Sequence, residues 1–266
     1  MGYGITGYTP HSKEMITIKI LVSIASYAER FLTLPLCLKN VFHQTHPPDY
    51  VFLFIKQSDI SRLPQEVLDY TKNGLKIQLA YPDLKPHNKY FHIMQQYPDD
   101  IVITLDDDVL YPLDLIEKLI LSYHAYPDAI SAGRAHKIRL DSNGNILPYE
   151  AWERECKIYN APSLSLFACG VGGVLYPPHC MPDETFNSDA IKKLCLYADD
   201  VWLKAMQLLQ YTPVVLIKQQ KQHPECIPDV AEHGLYQTNK LMGRNNLYIK
   251  NVFDTYHITS ERINII

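Results

Sequence analysis

The sequence lacks the long apolar runs that would cross a membrane or direct the chain out of the cell. No stretch of its 266 residues approaches the roughly 18–20 consecutive apolar residues of a transmembrane helix. Residues 1–17 contain no apolar core long enough for a signal peptide. We therefore expect a cytoplasmic protein with no transmembrane segment.

Closely spaced cysteines are also missing. The 6 cysteines are widely separated, and none forms a Cys-x-x-Cys pair. Structural zinc sites need such ligand spacing, and disulfides are rare in a reducing compartment. The sequence therefore predicts free thiols and gives no support for a zinc ion.

An excess of positive charge is missing as well. The formal net charge is −4 and the isoelectric point is near 6.2, whereas nucleic-acid-binding domains are normally basic. We therefore expect no nucleic-acid partner. The chain does contain 47% hydrophobic and 20% charged residues, which is enough for one large α/β domain or for two small domains.

Strand and helix patterns alternate along the first half of the chain. Apolar runs predict strands at residues 19–24, 50–55, 75–80 and 101–105. Apolar residues at helical spacing predict helices at residues 31–45, 65–72, 87–96 and 113–126. Regular alternation of this kind predicts parallel βαβ units.

The pattern changes after about residue 127. Residues 129–140 and 145–147, separated by an Asp-Ser-Asn-Gly turn, predict a β-hairpin. A glycine-rich segment follows at residues 167–178. A helix is predicted at residues 198–210, a late strand at residues 214–217, and a polar C-terminal segment after that.

Three consecutive carboxylates, Asp106, Asp107 and Asp108, follow directly on the predicted strand at residues 101–105. Close carboxylates resist joint ionisation unless a cation lies among them. In open α/β sheets the carboxyl ends of the strands also bind ligands. The segment therefore predicts a divalent metal and a phosphate-bearing ligand, with a solvated acidic turn as the alternative.

Four segments together resemble, in order and spacing, the motifs of the nucleotide-sugar-dependent glycosyltransferases of the GT-A fold. They are residues 22–30 (Val-Ser-Ile-Ala-Ser-Tyr-Ala-Glu-Arg), 104–112 (Thr-Leu-Asp-Asp-Asp-Val-Leu-Tyr-Pro), 170–178 (Gly-Val-Gly-Gly-Val-Leu-Tyr-Pro-Pro) and 198–202 (Ala-Asp-Asp-Val-Trp). The nearest likeness is to the inverting family 2 type bacterial enzymes that decorate lipopolysaccharide or capsule. It covers roughly residues 17–220.

The resemblance implies an α/β fold with a Rossmann-like, mostly parallel sheet flanked by helices, and a small β-hairpin in the acceptor region. We expect an N-terminal tail at residues 1–15, a nucleotide-sugar-binding half at 16–126, an acceptor-binding half of the same domain at 127–225, and a C-terminal extension at 226–266.

The resemblance also implies Mn²⁺ or Mg²⁺, which prefer the oxygen ligands that carboxylates supply. In the family the last Asp of an Asp-x-Asp motif ligates the metal, and this position maps to Asp108. Asp106 maps to the first Asp, which faces the ribose or the metal through water, and Asp107 would assist either role. His233 is chosen by position as a further metal ligand, with His223 second and an ordinary surface histidine as the alternative for both.

The loop after the first strand is expected to bind the nucleotide of a UDP-sugar. The residues that match this position are Ser23, Ala25, Ser26, Tyr27 and Arg30. Lys89 lies in the helix before the acidic strand, where the family often has a basic residue near the nucleotide, and Lys85 is the second candidate. A solvated helix face is the alternative for both. Gly172 and Gly173 match the segment that lines the donor sugar and acceptor, with a tight strand connection as the alternative.

Inversion at the anomeric carbon requires a base that removes the proton of the acceptor hydroxyl. In the family this base is the Asp that ends a Glu-Asp pair at a helix start. Asp199-Asp200 matches the pair with Asp for Glu, so Asp200 is predicted as the base and Asp199 as an acceptor or positioning contact. An N-cap with an acidic first turn is the alternative, and both can hold. Trp202 is expected to pack the helix onto the sheet, while Trp152 is left between packing and sugar stacking.

The predicted function is metal-dependent transfer of a hexose or N-acetylhexosamine from a UDP-sugar to a bacterial surface glycan. A lipid-linked acceptor would bring the enzyme to the periphery of the inner membrane. Two alternatives stay open, a phosphoryl-handling enzyme such as a sugar-nucleotide nucleotidyltransferase and a non-catalytic glycan-binding protein. The loop at residues 25–30 lacks glycine, which counts against the first. The intact Asp106, Asp108 and Asp200 count against the second.

Overall fold

A seven-stranded sheet forms the centre of the protein, whose computed structural model describes residues 18–157, 161–218, 224–227 and 244–263. The strands in chain order are β1 (Ile20–Ala25), β2 (Tyr50–Ile55), β3 (Leu75–Leu79), β4 (Ile101–Leu105), β5 (Val109–Leu110), β6 (Ile130–Ala132), β7 (Ala135–Lys137), β8 (Leu166–Ala168), β9 (Val174–Tyr176), β10 (Val214–Leu216) and β11 (Glu225–Cys226). The α-helices are α1 (Leu34–Phe42), α2 (Gln65–Asp69), α3 (Asn88–Gln96), α4 (Leu115–Ala125), α5 (Ser188–Leu194), α6 (Asp199–Gln210), α7 (Arg244–Thr255) and α8 (Ser260–Ile263).

The strand order in the main sheet is β10-β6-β9-β4-β1-β2-β3. All neighbouring pairs are parallel except those of β9, which runs antiparallel to both β4 and β6. The prediction of a mostly parallel α/β sheet is therefore confirmed. The chain moves outward from β1 to β3 and then returns to place β4 on the other side of β1, and such a switch point is where open α/β sheets bind ligands.

Both faces of the sheet are covered, which explains why its strands are continuous apolar runs. On one face Leu21 and Val102 pack in a core with Ile93 of α3. On the other face Val22 and Ile103 pack in a second core, to which α1 and α4 contribute. This coverage leaves the strand ends as the place where polar groups can gather.

The predicted β-hairpin at residues 129–147 is largely wrong. Residues 129–140 do not form one strand, because β6 joins the main sheet while β7 pairs with β8 in a separate two-stranded sheet. Between β6 and β7 the backbone N–H of Gly133 donates a hydrogen bond to the carbonyl of Gly173 at 2.9 Å. Only a single antiparallel bridge, Leu140 to Ile146, remains around the turn that contains Gly144. The need to complete two sheets overrides the local hairpin pattern.

Residues 127–225 and 226–266 contribute structure that the sequence patterns did not predict. Helix α5 precedes α6, and helix α7 packs against α6 through buried Val252 and Phe253. None of the helices in the described ranges is both long enough and apolar enough to cross a membrane. The predicted tail at residues 1–15 lies outside the described residues.

Candidate active site

A cavity of about 720 Å³ lies at the carboxyl ends of β1 and β4, at the switch point of the sheet. It collects most of the predicted site residues from segments that are far apart in sequence. Those that line it are Ala25, Ser26, Tyr27, Arg30, Lys85, Lys89, Asp106, Asp107, Asp108, Asp199 and Asp200. We call the five carboxylates Asp106, Asp107, Asp108, Asp199 and Asp200 the acidic cluster.

Lys89 joins the two acidic segments. It projects from α3, and its Nζ lies 2.7 Å from Asp106 Oδ1 and 2.9 Å from Asp199 Oδ2. Burial alone would lower the pKa of Lys89, but the carboxylates of Asp106 and Asp199 outweigh this effect and hold the pKa well above its usual value. The ammonium therefore stays charged and fixes the end of β4 against the start of α6.

Asp200 is the carboxylate of the acidic cluster that contacts the glycine-rich segment. The backbone N–H of Gly170 donates to its Oδ1 at 3.0 Å. Burial raises the pKa of Asp200 to about 8, and the neighbouring charge of Asp199 acts in the same direction. A carboxylate with a pKa near the working pH is effective in general acid–base catalysis.

Gly170 is a site residue that the sequence interpretation missed. A Cβ atom at this position would lie 2.9 Å from both Asp200 Oδ1 and Lys89 Nζ. Only glycine leaves room for these two side chains to approach the backbone at this point. The glycine-rich motif signalled such a close approach, but it did not indicate which of its glycines makes it.

Asp107, the middle residue of the triplet, holds the loop that follows β1. It accepts a hydrogen bond from Ser26 Oγ at 2.5 Å and one from Arg30 Nη1 at 3.2 Å. Arg30 also forms an ion pair with Asp108. Burial raises the pKa of Asp107 to about 7, against the opposing effects of Arg30 and Ser26. Asp107 therefore ties the predicted nucleotide loop to the acidic triplet.

Three predicted ligand contacts do not line the cavity. Ser23 is fully buried in β1, in register between Phe52 and Thr104. A Cβ at Gly172 would lie 2.4 Å from Arg134 Cβ. Gly173 has φ +77, and a Cβ there would meet the side chains of Leu105 and Leu115. The two glycines lie where the glycine-rich segment packs against Arg134 and the core, so the tight-connection alternative describes them.

Histidines and tryptophans elsewhere in the sequence have different surroundings. His87 is buried with ring nitrogens 2.8 Å from Tyr90 Oη and 2.9 Å from the Cys195 carbonyl, and burial lowers its pKa to about 4. Trp202 and Trp152 are both buried, and each donates its indole N–H to a backbone carbonyl, so both pack in the core. His223 and His233 lie outside the described residues.

A divalent cation fits the acidic triplet in charge and in donor type. Within residues 18–157, 161–218, 224–227 and 244–263, no three or more His, Cys, Asp or Glu side chains form a complete metal site. Asp106 and Asp108 each use one oxygen for a cationic side chain, yet they keep 26% and 22% of their side-chain surface exposed. Mg²⁺ commonly binds one or two carboxylates and completes its shell with substrate phosphates and water. Asp106 and Asp108 match that requirement.

A second group of cavity residues was not predicted from the sequence. Arg134 and Arg154 line the cavity together with His136, Tyr149 and Phe167. We call Arg134, His136, Tyr149 and Arg154 the arginine cluster. Arg134 follows β6 at its carboxyl end, a position that the strand-end rule marks as ligand-binding. Arg154 lies in a loop between distant strands, so no local pattern identifies it.

The sheet order, the acidic residues after β4 and the cavity at the switch point define a GT-A, Rossmann-like fold of the kind that handles nucleotide sugars. Residues 22–172, more than half of the chain, match the model of the Glycosyl transferase family 2. The protein therefore belongs to this family. The matched range includes the acidic triplet and Gly170 but ends before Asp199 and Asp200.

Comparison with solved structures supports the fold. The mannosyltransferase PcManGT from Pyrobaculum calidifontis in complex with GDP-Man and Mn²⁺ has a TM-score of 0.51 and 13% identity, over 91% of this chain and 70% of that chain. A 4-diphosphocytidyl-2C-methyl-D-erythritol synthase has a TM-score of 0.51 and 9% identity, over 85% of this chain and 100% of that chain. No curated protein sequence matches the chain significantly.

Proposed function

We propose that this protein transfers a hexose or N-acetylhexosamine from a UDP-sugar to a bacterial surface glycan, with inversion and with a divalent cation. The observation that carries the proposal is the single cavity that brings Asp106 and Asp108 together with Asp200, although about ninety residues separate them. A sugar transfer needs both groups at one place, the first near the departing diphosphate and the second near the attacking hydroxyl.

On the donor side, the loop after β1 is the proposed nucleotide site. Ala25, Ser26 and Tyr27 line the cavity there, and Asp107 fixes the loop through Ser26 and Arg30. Ser23 is too deeply buried to take part. Asp106 and Asp108 would hold Mn²⁺ or Mg²⁺, which as a Lewis acid neutralises the charge of a departing diphosphate.

On the acceptor side, Asp200 is the proposed base. Its carboxylate takes the proton of the acceptor hydroxyl while that oxygen forms a bond to the anomeric carbon. The bond between the anomeric carbon and the diphosphate oxygen breaks, and UDP leaves with the electron pair. A single displacement of this kind inverts the anomeric centre. Asp199 takes a positioning role, because its carboxylate engages Lys89, which in turn holds Asp106.

A donor screen tests the proposal. The protein is incubated with Mn²⁺ and a panel of UDP-, GDP- and CMP-sugars, and the released nucleotide is measured. Proton NMR of the product then reports the anomeric configuration. Release of UDP with an inverted product supports the proposal, and a retained configuration would remove Asp200 from the role of base in a single displacement.

A nucleotidyltransferase is the second candidate, and the fold similarity to the 4-diphosphocytidyl-2C-methyl-D-erythritol synthase keeps it open. Such an enzyme would join a nucleoside triphosphate to a sugar phosphate and release pyrophosphate. Measurement of pyrophosphate with CTP or UTP and a sugar phosphate separates the two functions. Pyrophosphate release without any turnover of nucleotide sugars would replace the proposed function.

A further inference from the structure

We propose that the acceptor of this enzyme carries an anionic group, a carboxylate or a phosphate, that the arginine cluster binds next to Asp200. This inference rests on the proposed glycosyl transfer, and it adds the chemical class of the acceptor. Three nitrogen donors of Arg134, His136 and Arg154 carry it, together with the link between the arginine cluster and Asp200.

Arg154 presents a guanidinium without a carboxylate partner among the described residues. Its Cζ lies 5.3 Å from the centroid of the Tyr149 ring, so the planar group stacks on the aromatic face. None of the ion pairs within the described ranges includes Arg154, and the residue lines the cavity. A guanidinium fixed in this way matches the geometry of a carboxylate or phosphate.

Arg134 has a donor left over. Its Nη2 lies 2.5 Å from Glu155 Oε1, but its Nε is buried and has no acceptor among the described residues. A buried donor without a partner costs roughly 1–3 kcal/mol, and a bound ion or water is one way in which such a group is satisfied. Arg134 lines the cavity and 33% of its side-chain surface is exposed, so the guanidinium N–H groups that face the cavity can donate to an anion there.

His136 supplies a neutral donor. The backbone N–H of Glu155 donates to His136 Nδ1 at 3.1 Å, which leaves the ring proton on Nε2. Burial, together with the charges of Arg154 and Arg134, lowers the pKa of His136 to about 4. The ring lines the cavity, so its Nε2–H can donate a hydrogen bond without adding charge.

The arginine cluster is connected to Asp200 through the glycine-rich segment. The backbone N–H of Cys169 donates to the Arg134 carbonyl at 2.9 Å, and the next residue, Gly170, donates to Asp200. Burial raises the pKa of Tyr149, and the charge of Asp200 adds to this effect while Arg154 opposes it. Tyr149 therefore lies within electrostatic reach of both Asp200 and Arg154.

Arg154 is the residue whose substitution tests acceptor binding separately from donor binding. Cys226 lies within electrostatic reach of Arg134 and of Asp108, so Arg134 is near the proposed diphosphate site as well. Arg154 affects the pKa of Tyr149, His136 and Cys169, all on the Asp200 side. A substitution of Arg154 is therefore the more direct test of acceptor binding.

The test uses the full-length protein with its donor site filled by saturating UDP and Mn²⁺. Glucose, glucuronate and glucose 6-phosphate, and their galactose counterparts, are then titrated, and binding is followed by ligand-observed NMR. We expect at least one class of anionic sugar to bind about ten-fold more tightly than its neutral counterpart. A preference limited to the carboxylate or to the phosphate identifies which anion the acceptor carries.

Two variants provide the matched comparison. Arg154→Met should abolish the preference for anionic sugars and leave UDP binding unchanged, while Arg154→Lys should keep part of the preference. Arg139→Met is the control, because Arg139 is an exposed arginine of the same region that pairs with Glu153 and does not line the cavity. The preference of Arg139→Met for anionic over neutral sugars should equal that of the wild type.

Three outcomes would overturn the inference. The first is that anionic sugars bind no more tightly than neutral sugars to the wild type, and the second is that Arg154→Met keeps the preference for anionic sugars. The third is that Arg154→Met weakens UDP binding, which would assign the arginine cluster to the donor diphosphate. A failure of UDP to bind the wild type with Mn²⁺ is a separate result, because it contradicts the proposed function itself.

Discussion

The acidic cluster and the arginine cluster line one cavity, but they differ in how their charges are satisfied. In the acidic cluster two buried cations, Lys89 and Arg30, bind four of the five carboxylates. In the arginine cluster, within the part of the chain that the structure describes, Arg154 has only an aromatic partner and Arg134 keeps an unpaired donor. The acidic cluster is thus held together by the protein alone, whereas the arginine cluster has binding capacity that a ligand would use.

The difference in charge explains why a cation suits one cluster and an anion the other. Five carboxylates against two buried cations leave three negative charges when all are ionised. This excess contributes to the raised pKa of Asp200, which Asp199 and Asp106 both push upward in addition to burial. A divalent cation would offset most of the excess, and the arginines would do the same for an acceptor anion.

The largest effect is expected when the acidic cluster loses its proposed base, because the reaction should slow while UDP binding is kept. Asp200→Asn removes the proposed base, and general base catalysis contributes about 10²–10⁴-fold. We expect kcat to fall by about that factor while UDP affinity stays unchanged, as measured by nucleotide release and by calorimetry. Near-wild-type turnover in this variant would show that another group takes the proton.

A large loss of stability is expected when the buried cation of the acidic cluster is removed. Lys89→Met leaves Asp106 and Asp199 without their common partner, and breaking a buried pair in this way costs about 3–5 kcal/mol. Urea unfolding measures the change in the free energy of unfolding. Lys85→Met is the control, because Lys85 is 41% exposed and pairs with Asp83 at the surface, where ion pairs contribute about 0–1 kcal/mol. Equal losses in both variants would contradict the structural role of Lys89.

A smaller effect is expected from filling the space at Gly170. In Gly170→Ala the new Cβ would lie 2.9 Å from Asp200 Oδ1 and Lys89 Nζ, and overpacking of this kind costs about 1–3 kcal/mol. We expect kcat to fall more than UDP affinity, because the base is displaced. Gly144→Ala is the comparison, since Gly144 has φ +82 in an exposed turn with no atom near its Cβ position. That variant should lose stability but keep its kcat.

The smallest expected effect is a shift of the pH profile. Asp200 must be deprotonated to act, so the rate rises with pH through its pKa, which lies at about 8 without a bound cation. The negative charge of Asp199 raises that pKa, and removing the charge therefore lowers it. In Asp199→Asn we expect the acidic limb of the kcat profile to move to lower pH by about one unit. A limb that stays in place or moves upward would rule out coupling between the two carboxylates.

The first half of the fold could be predicted because each element there is a local pattern. The strand Ile101–Leu105 is fully buried on both faces, so its sequence is a continuous apolar run. In the second half, β6 has three residues and β7 three, and both are defined by strands far away in sequence. Short strands that depend on distant partners leave no periodic signal, which is why the hairpin prediction was wrong.

The residues of the candidate site also fall into those that local sequence patterns could predict and those that they could not. Asp106 and Asp108 could be proposed from motifs because they follow a buried strand, and Asp200 because it lies in the first turn of a helix. The choice of Gly172 and Gly173 over Gly170 failed because a motif gives spacing but not the direction of the backbone. Arg154 could not be found at all, since only the tertiary fold brings its loop to the cavity that Asp200 also lines.

Titration of UDP by calorimetry, with and without Mn²⁺, tests most directly whether the acidic cluster binds the donor and the arginine cluster does not. Wild type, Asp108→Asn and Arg154→Met are compared after thermal unfolding shows that each is folded. We predict that the wild type binds UDP only with Mn²⁺, that Asp108→Asn loses this binding and that Arg154→Met keeps it. UDP binding that needs no Mn²⁺ and survives in Asp108→Asn, or that disappears in Arg154→Met, would contradict it.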